Sequence, residues 1–211
     1  KLCYYSNWRS CFRLFYLSIK FTTMKIRDSG MPPEEMWDKF FDPGFILSKL
    51  QLDNNIEDVV EFGSGYGTFS LHASQIIKGR LYALDIDDLM IDILNQKISE
   101  NKIKNITVLK TDFNNGTGLK QESADYVMMF NILHAEDPLL LLNEANRVLK
   151  QNGRIGVIHW IYSADTPRGP SLDIRPTEEQ CINWLNQAGF KVLSGPEKLP
   201  PYHYGIVGIK K

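Results

Sequence analysis

The sequence predicts an α/β fold: a doubly wound, mostly parallel sheet with helices on both faces. Three observations carry this. Short aliphatic runs (Val59-Val60, Leu81 to Leu84, Ile106 to Leu109, Val127 to Met129) recur between segments of helical period, the alternation of a βαβ chain. The runs are continuously apolar, as strands buried on both faces are. The first of them leads through Glu61-Phe62-Gly63-Ser64-Gly65-Tyr66-Gly67 into a helix. Glycines at alternate positions let backbone approach a ligand closely, and the helix start offers unpaired N–H groups.

A chain of 211 residues makes one domain of ordinary size. A formal net charge of −1 gives no bulk basic signal for nucleic acid. No apolar run reaches membrane-spanning length, so integral membrane contact is not expected. Cys3, Cys11 and Cys181 form neither a metal-ligand spacing nor a disulfide framework. No metal site is expected, and the usage suits a reducing, cytoplasmic setting.

Taken in order, residues 1–23 stand apart as an N-terminal extension. They carry Lys1, Arg9, Arg13 and Lys20, no acid and seven aromatics, ahead of the first methionine, Met24. Two readings stand: sequence upstream of a start at Met24, or a basic aromatic arm for a membrane surface or a partner. Residues 24–211 form a single domain, with a helical segment at 24–55 ahead of the α/β core at 56–211. In that segment Glu34 to Phe41 reads as a short helix with Met36, Trp37, Phe40 and Phe41 inward. Asp42-Pro43 reads as an N-cap and first-turn proline for a second helix.

The core opens with a strand at Asp58 to Phe62 and a helix at Thr68 to Ile77. A second strand, Leu81 to Leu84, ends at Asp85; an ionised carboxylate at such an edge accepts hydrogen bonds from both hydroxyls of a ribose. Asp87 and Asp88 read as caps for the helix to Glu100. Ile106 to Leu109 is a third strand, followed by Thr111-Asp112-Phe113 and a Gly/Asn-rich loop. Ala124 to Asn131 is the fourth strand, its end beside the glycine turn. Glu136 to Leu149 reads as a helix with Gly153 just past its end, and Arg154 to Trp160 as the fifth strand. Tyr162 to Pro176 is an irregular, proline-containing stretch, long enough to be a substrate-facing loop. Thr177 caps a helix running to Gly189, and Phe190 to Leu193 and Tyr204 to Ile209 are a final strand pair joined by Pro196 to His203.

The glycine spacing discriminates between ligands. A dinucleotide fingerprint needs its third glycine where Thr68 stands, and no P-loop is present. Glu-x-Gly-x-Gly-x-Gly at a strand end instead resembles motif I of the class I S-adenosylmethionine-dependent methyltransferases, and the resemblance runs from about Val59 to Ile209, the first stretch of the chain and the acceptor loops matching only loosely. It implies a Rossmann-like seven-stranded sheet whose seventh strand is antiparallel. It also implies S-adenosylmethionine as cofactor and S-adenosylhomocysteine as product. Glu61, Phe62, Gly63, Ser64, Gly65 and Gly67 would then bind the cofactor, with Glu61, Gly63 and Gly65 at its methionine end. Asp85 would take the ribose, Ile86, Asp112 and Phe113 the adenine, and Asn131 would face the transferring methyl. Asp112 has a second reading, a turn-forming residue. In the resembling family a leading segment such as 24–55 often lids the cofactor; plain packing of Trp37 and Phe41 against the sheet is the other reading.

Asn131-Ile132-Leu133-His134 lacks the Pro-Pro-aromatic that enzymes methylating adenine or glutamine carry there. In this respect it resembles the branch that includes quinone-biosynthesis and other small-molecule methyltransferases. His134 is the best-placed catalytic base, and a histidine bonded to nearby backbone is its other reading. Three hypotheses stand: methylation of a small molecule, methylation of protein or RNA, and a silent domain that binds the cofactor or a partner.

Overall fold

The computed structural model describes residues 31–211. The readings for residues 1–23, and for the start of the segment at 24–55, lie outside them. A short helix, α1 (Glu34–Trp37), continues as a 3₁₀ turn at Asp38–Phe40, and α2 follows at Pro43–Lys49. The Asp42 carboxylate accepts from the Phe45 N–H at 3.0 Å and Pro43 occupies the first turn, as expected of an N-cap before proline. Ile46, Leu47 and Leu50 are fully buried, whereas Met36 and Phe45 face outward, against the inward reading of Met36.

Seven strands follow, with four more helices: β1 (Val59–Phe62), α3 (Thr68–Ile76), β2 (Leu81–Asp85), α4 (Asp88–Glu100), β3 (Ile106–Lys110), β4 (Ala124–Phe130), α5 (Pro138–Val148), β5 (Leu149–Trp160), α6 (Glu178–Gln187), β6 (Phe190–Leu199) and β7 (His203–Lys210). The sheet order is β3-β2-β1-β4-β5-β7-β6. Strands β1 to β5 pair in parallel, and β7 inserts antiparallel between β5 and β6. The chain steps outward from β1 through β2 to β3 and then returns to lay β4 on the other side of β1. That reversal opens a crevice at the carboxyl ends of β1 and β4, where doubly wound sheets take ligands.

The continuously apolar runs are explained by burial on both faces. Along β4, Tyr126, Met128 and Phe130 enter the layer under α2 and α3, while Val127 and Met129 enter the layer under α5 and α6. Successive side chains point to opposite faces, so each residue must be apolar. Tyr126 is the one large polar exception. Its ring lies where Gly156 lacks a Cβ, and its hydroxyl donates to the Leu50 carbonyl at 2.7 Å, tying α2 to the sheet.

Three expectations at the carboxyl half change. Helix α5 begins at Pro138, capped by Asp137, and ends at Val148. Strand β5 starts at once with Leu149, paired to Ala124, and an irregularity separates this pair from Tyr126–Arg154. Asn152, not Gly153, holds the left-handed backbone there, at φ 62°. Gly153 is needed for space: a Cβ would stand 2.8 Å from the Lys150 carbonyl oxygen. Strand β6 runs on to Leu199 through two register shifts, so Pro196 lies within a strand rather than a connector. A bulged edge strand tolerates a proline because its outward N–H has no partner to lose. At α6 the reading holds: Thr177 and Gln180 bond reciprocally as a capping box.

Candidate active site

The glycine turn forms because β1 ends against β2. The Gly63 and Ser64 N–H groups both donate to the Leu84 carbonyl, at 2.8 and 3.0 Å. Gly63, Gly65 and Gly67 all have positive φ, at 74°, 49° and 78°. Gly67 serves as N-cap of α3, and a Cβ on it would overlap the Leu94 side chain of α4. Its absence lets α3 and α4 approach one another. Beyond the turn lies a cavity of about 240 Å³, bounded by β1, β2 and β4 ends and roofed by Met31 and Trp37.

Two acids stand at the floor of this cavity. Glu61 is 2% exposed and accepts from the Ser70 hydroxyl of α3. Burial raises its pKa to about 8, the Ser70 bond opposes this, and the charge of Asp85 adds to it. Asp85 Oδ1 accepts from the Ile86 and Asp87 N–H groups at 2.8 and 3.0 Å, and Oδ2 from the Gly65 N–H at 2.8 Å. The carboxylate therefore fixes the glycine turn as well as facing the cavity. Its pKa is raised by burial, against those backbone donors.

Asn131, at the end of β4, has left-handed backbone at φ 54°, a conformation that is costly for a residue with a Cβ. The Asn131 N–H donates to Ile158 of β5 at 2.8 Å, which holds the chain in that bend. Neither polar atom of its side-chain amide has a hydrogen-bond partner among the described residues, and the same is true of Ser64 Oγ and His134 Nε2. Ser64, Asn131 and His134 all line the cavity. Buried polar atoms are rarely left unpaired, so this cluster is a place prepared for a polar ligand.

Of the residues singled out in the sequence, Glu61, Gly63, Ser64, Gly65, Asp85, Ile86, Phe113, Asn131 and His134 come together around the cavity. Phe62 does not line it. Its ring is fully buried, stacked on Phe113 at a centroid distance of 5.0 Å, and so braces a cavity wall from behind. Gly67 acts one step away, through the α3–α4 contact. Asp112 is also absent from the lining; its carboxylate caps the 3₁₀ turn Phe113–Asn115 by accepting from the Asn114 N–H at 3.1 Å. Asp87, read as a helix cap, accepts from the Leu89 N–H at 2.8 Å and lines the cavity too.

The second wall is the proline-containing loop read at Tyr162 to Pro176, although Arg175 within it was not singled out. Loop 161–177 folds over a smaller compartment that shares Met31, Trp37, Asn131 and His134 with the main cavity and adds Trp160 and Arg168. The buried Arg175 guanidinium organises this loop. It donates to the carbonyls of Ile161, Ser163 and Pro170 at 2.6–3.0 Å and to Thr166 Oγ1 at 2.7 Å. Gly169, at φ 110°, passes so close to Trp160 that a Cβ would stand 2.9 Å from the indole. An arginine in a proline-rich loop has no periodicity to announce a bracing role.

The front of the cavity is held by Pro32 and by Glu34, the first residue of α1. Lys97 of α4 pairs with Glu34 and donates to the Tyr66 carbonyl at 2.8 Å, while the Tyr66 hydroxyl donates to the Pro32 carbonyl at 3.1 Å. Among the described residues there is no His/Cys/Asp/Glu group suited to a metal, and no helix is long and apolar enough to cross a membrane.

Comparison with known proteins agrees with this geometry. Residues 59–153 match a family model described as a methyltransferase domain. A crystal structure of a SAM-dependent methyltransferase from Aquifex aeolicus superposes with a TM-score of 0.75, at 25% identity, covering 84% of this chain and 93% of that one. A ribosomal protein L11 methyltransferase from Thermoanaerobacter sp. is 30% identical over 95 residues, 45% of this chain and 29% of the relative. An uncharacterised methyltransferase from Schizosaccharomyces pombe is 26% identical over 139 residues, 63% of this chain and 48% of that protein. The chain thus spans less than half the length of these curated relatives. Glycine turn, strand-end acids, strand order and the match agree: residues 59–153 match a methyltransferase domain, set in the fold of S-adenosylmethionine-dependent methyltransferases.

Proposed function

We propose that this protein transfers a methyl group from S-adenosylmethionine to a small-molecule acceptor. One observation carries the reading: two acids and a strained, unpartnered asparagine stand at the ends of β1, β2 and β4 around a glycine turn, on one cavity. The cofactor supplies a methyl group already activated on a sulfonium. The chain has to bind it, orient the acceptor and exclude water. In this reading Asp85 accepts from a ribose hydroxyl at Oδ2, where its three backbone donors leave a lone pair free. Glu61 faces the ammonium of the methionine end, which favours its ionised form. Gly63 and Gly65 present bare backbone, Ile86 and Phe113 flank the adenine, and Asp112 acts by holding Phe113 in its turn. Asn131 orients the acceptor, and His134 Nε2 receives a proton where the acceptor must lose one.

The small-molecule part rests on the compartment beyond Asn131 and His134. Trp37, Trp160 and the Arg175-braced loop enclose it, which suits an acceptor that can be surrounded rather than an extended chain. A protein acceptor is the second reading, favoured by the similarity to ribosomal protein L11 methyltransferases. That similarity covers 45% of this chain for the Thermoanaerobacter relative, and 89% at 24% identity for the one from Clostridium perfringens. An acceptor screen with radiolabelled methyl donor separates the two.

Calorimetric titration with S-adenosylmethionine and S-adenosylhomocysteine, with NAD as control, tests the cofactor assignment. Saturable binding of the first two alone is expected. Replacing Asp85 by alanine should weaken that binding by about 1.5–3 kcal/mol, the scale of hydrogen bonds to a charged group. Unchanged affinity in a folded D85A protein overturns the ribose assignment, and preferential NAD binding overturns the reading as a whole.

A further inference from the structure

The charge around the main cavity is one-sided. Glu61, Asp85 and Asp87 line it, and among the described residues no lysine or arginine does. His134, the histidine in its lining, is buried beside His159, with Nδ1 and Nε2 of the two rings 3.4 Å apart. Both rings are neutral at neutral pH, since burial brings His134 down to about 4 and holds His159 well below its ordinary value. Lys97, at the front, is engaged by Glu34 and the Tyr66 carbonyl. Arg168 lines the smaller compartment and not the main cavity, and the Arg175 guanidinium is turned to the carbonyls of its own loop.

The backbone does not reverse this balance. Glycine turns that hold phosphate do so by aiming several N–H groups at it. Here the turn uses those groups internally. The Gly63 and Ser64 N–H groups go to the Leu84 carbonyl, the Gly65 N–H to the Asp85 carboxylate and the Gly67 N–H to the Ser64 carbonyl, at 2.8–3.0 Å. Thr68 and Phe69, at the start of α3, line the cavity, and no side chain caps that helix end. Its partial positive charge and the unpartnered polar atoms of Ser64 and Asn131 suit a single carboxylate and neutral groups.

S-adenosylmethionine and S-adenosylhomocysteine share their adenosine, carboxylate and ammonium. They differ by one methyl group and one positive charge, a sulfonium against a neutral thioether. Contacts common to both, those of the helix end included, cancel from the ratio of their affinities. The field at the sulfur remains, and carboxylates around a part-buried cavity act on a cation there over several ångströms. Glu61 contributes when ionised, which a neighbouring cation favours. Asp87 is exposed, so its share is the most screened.

We propose that the cavity selects its occupant by charge: Glu61, Asp85 and Asp87 hold the charged methyl donor more tightly than the neutral product, so that fresh donor displaces product. This rests on the cofactor reading above and not on the identity of the acceptor.

The test is calorimetric titration of the full-length protein at neutral pH with S-adenosylmethionine, S-adenosylhomocysteine and sinefungin. In sinefungin an amine-bearing carbon replaces the sulfonium, which keeps the charge without a methyl group to transfer. Both cationic ligands should bind about ten-fold more tightly than S-adenosylhomocysteine. In Asp87→Asn, whose amide oxygen still accepts from the Leu89 N–H, that preference should shrink about two-fold, and in Glu61→Gln by more. S-adenosylhomocysteine binding as tightly as the cationic pair overturns the proposal, whether or not either variant folds, and leaves the cofactor reading standing. A preference that both folded variants retain in full also overturns it, because the acids then do not cause it. Failure of all three ligands to bind is a different result: it removes the cofactor reading itself, and the proposal with it.

Discussion

Glu61 shows what one residue contributes beyond its place in a motif. Its carboxyl has its folded-state pKa raised from 4.5 to about 8, first by burial. A raised acid pKa means that the folded state holds a proton which the unfolded chain has already lost. Its effect on stability is therefore absent below about pH 4.5 and grows as a penalty while pH rises towards about 8. Comparison of Glu61→Gln with wild type isolates this from the buried histidines, which act in the opposite direction. The variant should gain stability relative to wild type on the order of 2–4 kcal/mol across that window, read by urea melts at several pH values. An equal pH dependence in both proteins would mean that Glu61 is ionised in the folded state. Glu61 and Asp85 could be read from sequence because an acid closing an apolar run stands out. The role of Asp112 could not, since a cofactor contact and a turn cap have the same local sequence. The strain at Asn131 and the pairing of His134 with His159 come from neighbours 25 or more positions away, which no local pattern encodes.

At the scale of elements, Gly67 joins three features at one atom that is not there. It ends the turn, caps α3 and admits the Leu94 side chain from α4. Gly67→Ala meets both the left-handed backbone cost, about 1–2 kcal/mol, and displacement of a buried leucine. A loss of about 2–4 kcal/mol in urea unfolding is expected, together with weaker S-adenosylhomocysteine binding as the turn shifts. A loss below about 0.5 kcal/mol would show that the α3–α4 contact yields freely. Helix positions were legible where caps carried them: Asp42, Asp87 and Thr177 each accept the bond expected of them. Strand ends were less so. β5 begins with no loop after α5, and β6 continues through a proline, because pairing with β4 and β7 overrides the local turn signals.

For the molecule as a whole, the parallel order and the crevice at its reversal followed from apolar runs, a glycine turn and strand-end acids, since burial on both faces leaves few other arrangements. What covers the crevice followed only as one of two readings of the segment at 24–55, because Met31, Pro32 and Glu34 carry no motif that separates a lid from plain packing. Yet this cover has a consequence for time rather than affinity. Met31 and Trp37, which roof the cavity, flank Pro32 and Glu34, which Tyr66 and Lys97 hold, so an occupant is expected to leave faster when those contacts part. The Lys97–Glu34 pair is partly exposed, at 22% and 36% of its side chains, and so is worth about 1 kcal/mol or less. Lys97→Ala should therefore speed the release of S-adenosylhomocysteine in stopped-flow by about three- to five-fold, with the association rate raised alongside it. Equal release rates in the two proteins would mean that the front does not gate exchange. If it does, the lifetime of spent cofactor on the protein, and with it the ceiling on turnover, is set by a latch one side chain wide and far from the reacting atoms.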